Sequence, residues 1–140
     1  MYRNFLLATL GFLLTCNLAL AETVTFKNLE NNVYDVQELT KIGADYEAFS
    51  KHVTELGLAL GRYKREMNGQ ESIAYEALIV KAAENYITAL DYWRRSFKTY
   101  KAADESASDL LARTSIALRD HDIQQAAKKI SEAEALKKLP

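Results

Sequence analysis

Hydrophobic residues recur with a seven-residue period through the first half of the chain. Two rows of them lie three positions apart: Leu39, Tyr46, Val53, Leu60 and Met67 in one, and Ile42, Phe49, Leu56 and Tyr63 in the other. This is the a/d pattern of helices that pack side by side along a hydrophobic seam. It predicts one unbroken helix that begins at Val33 and ends at Asn68-Gly69, a dipeptide typical of a helix C-terminus.

A second helix with the same period is predicted from Ser72 to about Ala103. Its hydrophobic rows are Ile79, Tyr86, Trp93 and Tyr100, and Ala83, Leu90 and Phe97. Small residues lie beside these rows at Ala82, Ala89 and Ser96, so that a neighbouring helix can pack closely. We therefore expect the large rings between Tyr86 and Tyr100 to face the core.

The last third of the chain has a less regular pattern. Its apolar stripe shifts around the helix axis between Leu118 and Ile123, and the polar sequence "RDHD" occupies residues 119–122 between them. Asp122 followed by Gln125 resembles a capping box, which marks a helix N-terminus. The pattern favours a break or a kink at this point, and it leaves open whether residues 104–138 form one kinked helix or two.

Together these elements predict an all-α fold. We expect an antiparallel up-and-down bundle of three to four helices, built on a long heptad-patterned helical hairpin, within a single domain at residues 33–140. Residues 22–32, "ETVTFKNLENN", contain the one strand-like patch, Thr23 to Phe26. They are predicted to form an extended N-terminal leader that lies against the bundle.

The first 21 residues have the pattern of a cleaved export signal. Arg3 is followed by an apolar run that is too short and too interrupted for a comfortable membrane span, and Ala19-Leu20-Ala21 supplies small residues at a cleavage site. We therefore expect a periplasmic or secreted protein without a transmembrane span in the mature chain. An alternative is lipid anchoring at Cys16, because Leu13-Leu14-Thr15-Cys16 resembles a bacterial lipobox.

Composition excludes several kinds of bond and binding site. The single cysteine, Cys16, lies in the signal segment, so disulfides, thiolate nucleophiles and zinc–thiolate sites are not expected in the mature chain. Removing Arg3 changes the formal net charge from −1 to about −2. A basic stretch does occur beside Trp93 and Tyr100, but export and the negative charge argue against nucleic acid as a partner.

Catalytic and metal-binding patterns are also weak. The two histidines, His52 and His121, belong to neither of the helical metal-binding patterns, His-Glu-x-x-His and Glu-x-x-His. The sequence contains no nucleophile elbow and no phosphate-binding loop. We therefore predict no catalytic residue, no metal and no cofactor, and a protein that is not an enzyme.

The prediction that remains is a non-enzymatic protein of the cell envelope that binds another envelope or secreted protein. It would act as an adaptor, as a chaperone, or as a protein of the inhibitor or immunity type. Tryptophan, tyrosine and arginine are favoured at interaction hot spots. The candidate partner surface is Tyr63, Trp93, Arg94, Arg95, Phe97, Lys98 and Tyr100. The heptad seam also allows self-association into a homo-oligomer.

Two alternatives differ in kind from protein binding. The first is a small-ligand-binding or enzymatic bundle that holds an apolar or aromatic molecule between its helices near Tyr86 and Trp93. The second is a helical-repeat module: "NYITALDYW" at 85–93 and "DIQQAAKKI" at 122–130 align with each other, and the pair resembles a tetratricopeptide half-repeat. That resemblance would imply a binding module built from helical repeats.

Overall fold

The computed structural model describes residues 24–70, 72–100 and 105–138. Within these ranges the chain is all-helical, and it contains four helices and no strands. The helices are α1 at 24–42, α2 at Tyr46–Met67, α3 at Ala74–Tyr100 and α4 at Glu105–Lys137. No helix in the described ranges is both long enough and apolar enough to cross a lipid bilayer. The predicted cleavage at Ala21 and the lipid anchor at Cys16 lie outside the described residues.

Helices α2 and α3 run antiparallel, as contacts at their two ends show. The Tyr63 hydroxyl, near the end of α2, donates a hydrogen bond to Glu76 Oε2, near the start of α3, over 3.0 Å. Tyr46 begins α2, and its ring centre lies 4.9 Å from the ring centre of Phe97, near the end of α3. The side chains between them that face this seam include Phe49, Val53, Leu56, Leu60, Ile79, Tyr86 and Leu90, all buried.

The helix predicted to run unbroken from Val33 is interrupted at residues 43–45, and that prediction is wrong. Gly43 has a φ of +72°, a left-handed conformation that suits glycine because it has no Cβ. Asp45 then caps α2 by accepting a hydrogen bond from the Ala48 backbone N–H over 2.9 Å. The chain reverses at this turn, so Ile42, which was predicted to face the seam, is 77% exposed.

The extended leader predicted at residues 22–32 is also wrong, because residues 24–32 belong to α1. The β-branched residues at its start suggested a strand. The spacing of Leu29, Val33 and Val36, however, places them on one face of a helix, and all three are fully buried. Phe26 packs on Tyr63, with 5.6 Å between ring centres, so α1 lies antiparallel to α2.

Helix α4 continues through residues 119–122, so of the break or kink predicted there, the break is wrong. The polar residues there do not interrupt the packing, because Arg119 turns inward and its guanidinium lies over the Trp93 ring. A backbone with all its helical hydrogen bonds has no need of the cap that Asp122 could offer. Where the apolar stripe shifts, the Arg119 cation fills the position that faces Trp93.

Helices α3 and α4 pack closely against each other along faces of small side chains. The residues involved are buried: Ala82, Ala89 and Ser96 on α3, and Ala112, Ala126 and Ala133 on α4. Small side chains let two helix backbones approach each other, which increases dispersion contact along the whole interface. The prediction that the small residues of the second helix would allow close packing is confirmed.

Candidate protein-interaction surface

Four aromatic rings from α2 and α3 meet where α2 begins and α3 approaches its end. We call Tyr46, Phe49, Trp93 and Phe97 the aromatic cluster. Trp93 is its centre, since its ring centre lies 5.5 Å from that of Tyr46 and 5.4 Å from that of Phe49. Edge-to-face and tilted contacts at these separations are the favoured geometries of aromatic pairs. The cluster therefore fixes the ring positions on α3.

Burial decreases along α3 from the middle of the helix towards its end. Tyr86 is fully buried, Trp93 is partly buried against the core, and Phe97 is 51% exposed. The expectation that the rings would face inward is thus met by Tyr86 and Trp93 and only half met by Phe97. The Phe97 ring is held on one side by Tyr46 and presents its other side to solvent.

Basic side chains surround Phe97 on the exposed side of α3. Arg94 and Lys98 are both exposed, and they lie four residues apart on one face. Among the ion pairs of the described residues, Arg94 pairs with Asp91, with 3.7 Å between Nη1 and Oδ1. The Arg95 guanidinium lies 5.7 Å from the centre of the Tyr92 ring. The end of α3 is therefore positively charged although the chain as a whole is slightly negative.

Helix α4 adds exposed apolar residues at the same end of the bundle. Because Arg119 lies over Trp93 in an antiparallel pair, the residues before 119 are level with the residues after 93. Leu110 is 68% exposed and Leu111 is 53% exposed. We call Arg94, Arg95, Phe97, Lys98, Leu110 and Leu111 together the tip surface. Several exposed apolar side chains towards one end of a bundle make that end a candidate interaction site.

Most of the predicted surface lies together on α3, and Tyr63 lies apart from it. Trp93, Arg94, Arg95, Phe97 and Lys98 lie within two turns of α3. Tyr63, however, is only 5% exposed, and its ring packs on Phe26 at the opposite end of α2. The seam that includes Tyr63 is buried in the bundle, so Tyr63 is not a surface residue. The side chain of Tyr100 lies outside the described residues.

The sequence interpretation missed Leu110 and Leu111 as surface residues, because a leucine pair in a helix usually marks the core. The sequence did contain an indication that these leucines are exposed, namely that they directly precede Ala112. Only one of three consecutive helical residues can point directly at a neighbouring helix, and Ala112 takes that position with 4% exposure. The two leucines then lie on other faces of α4.

The opposite end of the bundle is closed by a buried carboxylate that the sequence interpretation also missed. The side chain of Glu30 on α1 is 5% exposed, and it accepts hydrogen bonds from the ammonium groups of Lys27 and Lys137, both over 2.7 Å, and from the Tyr75 hydroxyl. Burial alone would raise the pKa of Glu30, but the hydrogen bonds from Lys137, Lys27 and Tyr75 outweigh it and lower the pKa to about 2.

These contacts join three helices at one point. The ammonium of Lys137, at the end of α4, also lies 4.4 Å from the centre of the Tyr75 ring on α3. Burial and the hydrogen bond to Glu30 raise the pKa of the Tyr75 hydroxyl, which therefore stays protonated and keeps donating. We call Glu30, Tyr75 and Lys137 the polar clasp. Its groups satisfy one another, and this is typical of a structural ion pair rather than of a catalytic site.

Metal binding is not supported at any point that the structure describes. Within residues 24–70, 72–100 and 105–138, no three His, Cys, Asp or Glu side chains come together closely enough to hold an ion. Arg119 and Asp120 form a direct ion pair, with 2.6 Å from Nη2 to Oδ1. The tip surface offers aromatic, basic and apolar groups, which are suited to recognition of another molecule.

Comparison with known proteins adds no further constraint. The sequence matches no protein-family model, no curated protein and no solved structure. The function must therefore be inferred from the contacts and surfaces of this chain.

Proposed function

We propose that this protein is an exported, non-enzymatic helical bundle that binds another protein of the cell envelope through its tip surface. The observation that carries the proposal is Phe97, a large ring that is 51% exposed and flanked by basic side chains. A half-exposed aromatic residue, fixed by neighbours and surrounded by charge, has the composition of an interaction hot spot. Adaptor, chaperone and inhibitor roles all fit this surface.

The position of Phe97 favours binding because the ring is already ordered. Its contact with Tyr46, 4.9 Å between ring centres, restricts its rotamers in the free protein. Ordering a side chain at an interface costs roughly 0.5–1.5 kcal/mol, and a ring that is already fixed avoids most of that cost. A partner therefore gains the apolar contact with Phe97 with little loss of side-chain entropy.

Charge indicates what the partner presents. Arg94, Arg95 and Lys98 lie within five residues of sequence, and among the ion pairs of the described residues Asp91 is the acidic partner of Arg94. An acidic partner surface would complement this charge, speed association and set the orientation of docking. We infer a partner that places carboxylates around one or two apolar side chains, which contact Phe97, Leu110 and Leu111.

The proposed location is supported by the N-terminal sequence. Arg3, the apolar run and Ala19-Leu20-Ala21 have the order of charge, hydrophobicity and small residues that export requires. We therefore place the mature protein in the periplasm, or outside the cell, of a Gram-negative bacterium.

The heptad-patterned hairpin is proposed as the framework rather than as the binding site. Its seam residues on α2, such as Phe49, Val53 and Leu56, are at most 1% exposed, so they are used within the bundle. Self-association through that seam would require the bundle to open. The tetratricopeptide-like alternative gains no support from the packing. Helices one repeat period apart run parallel in such arrays, whereas the two aligned segments lie in α3 and α4, which contact each other as an antiparallel pair.

Site-specific photo-crosslinking in intact cells tests the proposal. A photoreactive residue at Phe97 should form a crosslink to one protein other than this chain. The same residue at Leu58, which is 61% exposed on α2, should not form it. Equal crosslinking from both positions, or crosslinking only to a second copy of this chain, would reject the tip surface as a site for another protein.

A further inference from the structure

A pocket of about 450 Å³ lies where the α1–α2 turn faces α3 and α4. Its apolar walls are Leu39, Phe49, Trp93 and Ile123. Its polar walls are Thr40, Arg119, Asp120 and Gln124, and the backbone turn at Gly43 and Ala44 closes one side. This volume falls within the range of roughly 300–1,000 Å³ that small-molecule sites occupy. The wall is mixed, because four apolar side chains face four polar ones.

The charges in the pocket cancel each other. The Arg119 guanidinium contacts the Asp120 carboxylate through two nitrogens, with Nε to Oδ1 at 2.7 Å and Nη2 to Oδ1 at 2.6 Å. The same guanidinium lies over the Trp93 ring at 4.5 Å. An ionised ligand would lose hydration on entering and would meet no net opposite charge. The pocket therefore disfavours both anions and cations.

The remaining polar walls are uncharged. The Thr40 hydroxyl donates to the Gln37 carbonyl oxygen over 2.7 Å, which leaves its own oxygen as an acceptor. The other uncharged polar wall is Gln124, an exposed residue of α4. Its amide oxygen can accept a hydrogen bond and its amide nitrogen can donate one. Polar substituents of a ligand can meet neutral groups here.

We propose that this pocket binds a small, uncharged aromatic molecule that carries a polar substituent. Its ring would lie among Leu39, Phe49 and Ile123, and its substituent would face Thr40 and Gln124. The pocket is separate from the exposed residues of the tip surface, so this proposal and the proposed protein-binding function can fail independently of each other.

Three probes that share one ring and differ in charge test the ligand class. They are phenylacetamide, which is neutral, phenylacetate, which is an anion, and phenethylamine, which is a cation. Each is titrated into the ¹⁵N-labelled folded protein, and the Gly43 amide and the indole N–H of Trp93 are followed by NMR. Trp93 is the only tryptophan of the chain, so its indole signal is unambiguous.

Phenylacetamide should shift both signals saturably and should bind at least about threefold more tightly than either ion, because only the ions lose a charged group's hydration. Two variants locate the effect. Gln124→Phe places a ring at the mouth of the pocket and should abolish the shifts. Lys128→Phe, one turn further along α4 at an exposed position outside the pocket, should leave them unchanged.

The variant Asp120→Asn tests whether the Arg119–Asp120 ion pair is the reason that the pocket disfavours ions. It leaves Arg119 without its anionic partner, so phenylacetate should become the tightest of the three probes, with a gain on the order of tenfold. Thermal unfolding of each variant shows whether it remains folded. Three outcomes would overturn the proposal. None of the probes shifts the two signals saturably; the shifts persist in Gln124→Phe; or, in the unsubstituted protein, one of the ions gives the largest shifts.

Discussion

The guanidinium of Arg119 lies 4.5 Å from the centre of the Trp93 ring, and it joins the middle of α4 to the aromatic cluster. The Arg119 side chain is 19% exposed, so the interaction is largely shielded from water. The apolar stripe of α4 shifts around the helix axis between Leu118 and Ile123, and at this point the charged Arg119 faces α3 instead of an apolar side chain. The Trp93 ring is therefore contacted by Tyr46 and Phe49 from α2 and by Arg119 from α4.

Replacing Arg119 should destabilise the fold more than replacing an exposed arginine of the same helix. Arg119→Ala removes the cation–π contact and the packing of the aliphatic chain, so we expect a loss of about 1–2 kcal/mol in the free energy of unfolding. Arg113→Ala is the control, because Arg113 is 75% exposed and its ion pair with Asp109 lies on the surface. Its effect should stay within about 0.5 kcal/mol. Urea unfolding monitored by Trp93 fluorescence measures both, and equal losses would contradict the role of Arg119.

The polar clasp should make stability fall at acid pH. The folded-state pKa of Glu30, about 2, lies below its ordinary value of 4.5. A carboxylate with a depressed pKa stabilises the fold fully above its unfolded pKa, and this stabilisation is lost as the pH falls from about 4.5 to 2. The shift corresponds to at most ~3 kcal/mol.

Glu30→Gln should flatten this part of the pH profile and lower stability at neutral pH by about 1–3 kcal/mol, because the partners of Glu30 lose a charged acceptor. Glu38→Gln is a matched control on the same helix, since the Glu38 side chain is 67% exposed in its pair with Lys41. Chemical unfolding at several pH values between 2 and 7 supplies the measurement. A profile that is unchanged in Glu30→Gln would show that other carboxylates cause the acid sensitivity.

Two glycine-to-alanine variants should change stability in opposite directions. Gly43 has a φ of +72°, so Gly43→Ala strains the α1–α2 turn and should cost about 1 kcal/mol, although no atom lies within 4 Å of the added Cβ. Gly61 lies inside α2, where an added Cβ would meet only Arg65 Nη1 at 3.8 Å, an ordinary contact. Gly61→Ala should therefore stabilise the protein by roughly 0.5–1 kcal/mol. Thermal unfolding distinguishes the two, and a shift of the same sign in both would argue against the turn.

Charge reversal on the tip surface should separate binding from stability. Arg94→Glu combined with Arg95→Glu should weaken capture of the crosslinked partner at least about tenfold, because it places like charges opposite an acidic surface. The melting temperature should change little, since both residues are exposed. Lys51→Glu combined with Arg62→Glu, both exposed on α2, is the control and should leave capture intact. If the tip variant unfolds instead, Arg94 and Arg95 are structural.

The sequence predicts well what depends on local periodicity. Phe49, Val53 and Leu56 are buried as their seven-residue spacing indicates, and the all-helical class follows from the same pattern. The turn at Gly43 was missed because the hydrophobic period continues across it without a change of phase. The Gly43-Ala44-Asp45 sequence did carry a signal, a glycine that ends one helix and an aspartate that caps the next.

The features that sequence reasoning missed depend on contacts between distant helices. Glu30 looks like an exposed acidic residue until Tyr75 and Lys137 are brought to it by folding. Arg119 looks like a helix interruption until it meets Trp93. For the candidate site, the chain indicated the basic and aromatic residues of α3 but not their degree of exposure, because exposure depends on where α2 begins.

The pairing of Glu30 with Lys137 joins residues that are 107 positions apart in the chain. During synthesis the ribosome makes α1 long before α4, so the carboxylate of Glu30 has no ammonium from α4 while the first three helices emerge. A nascent chain that lacks α4 also leaves the small-residue face of α3 open to water. The polar clasp can therefore form only in a chain that includes Lys137, and a chain truncated before α4 would lack both the clasp and the cover of α3.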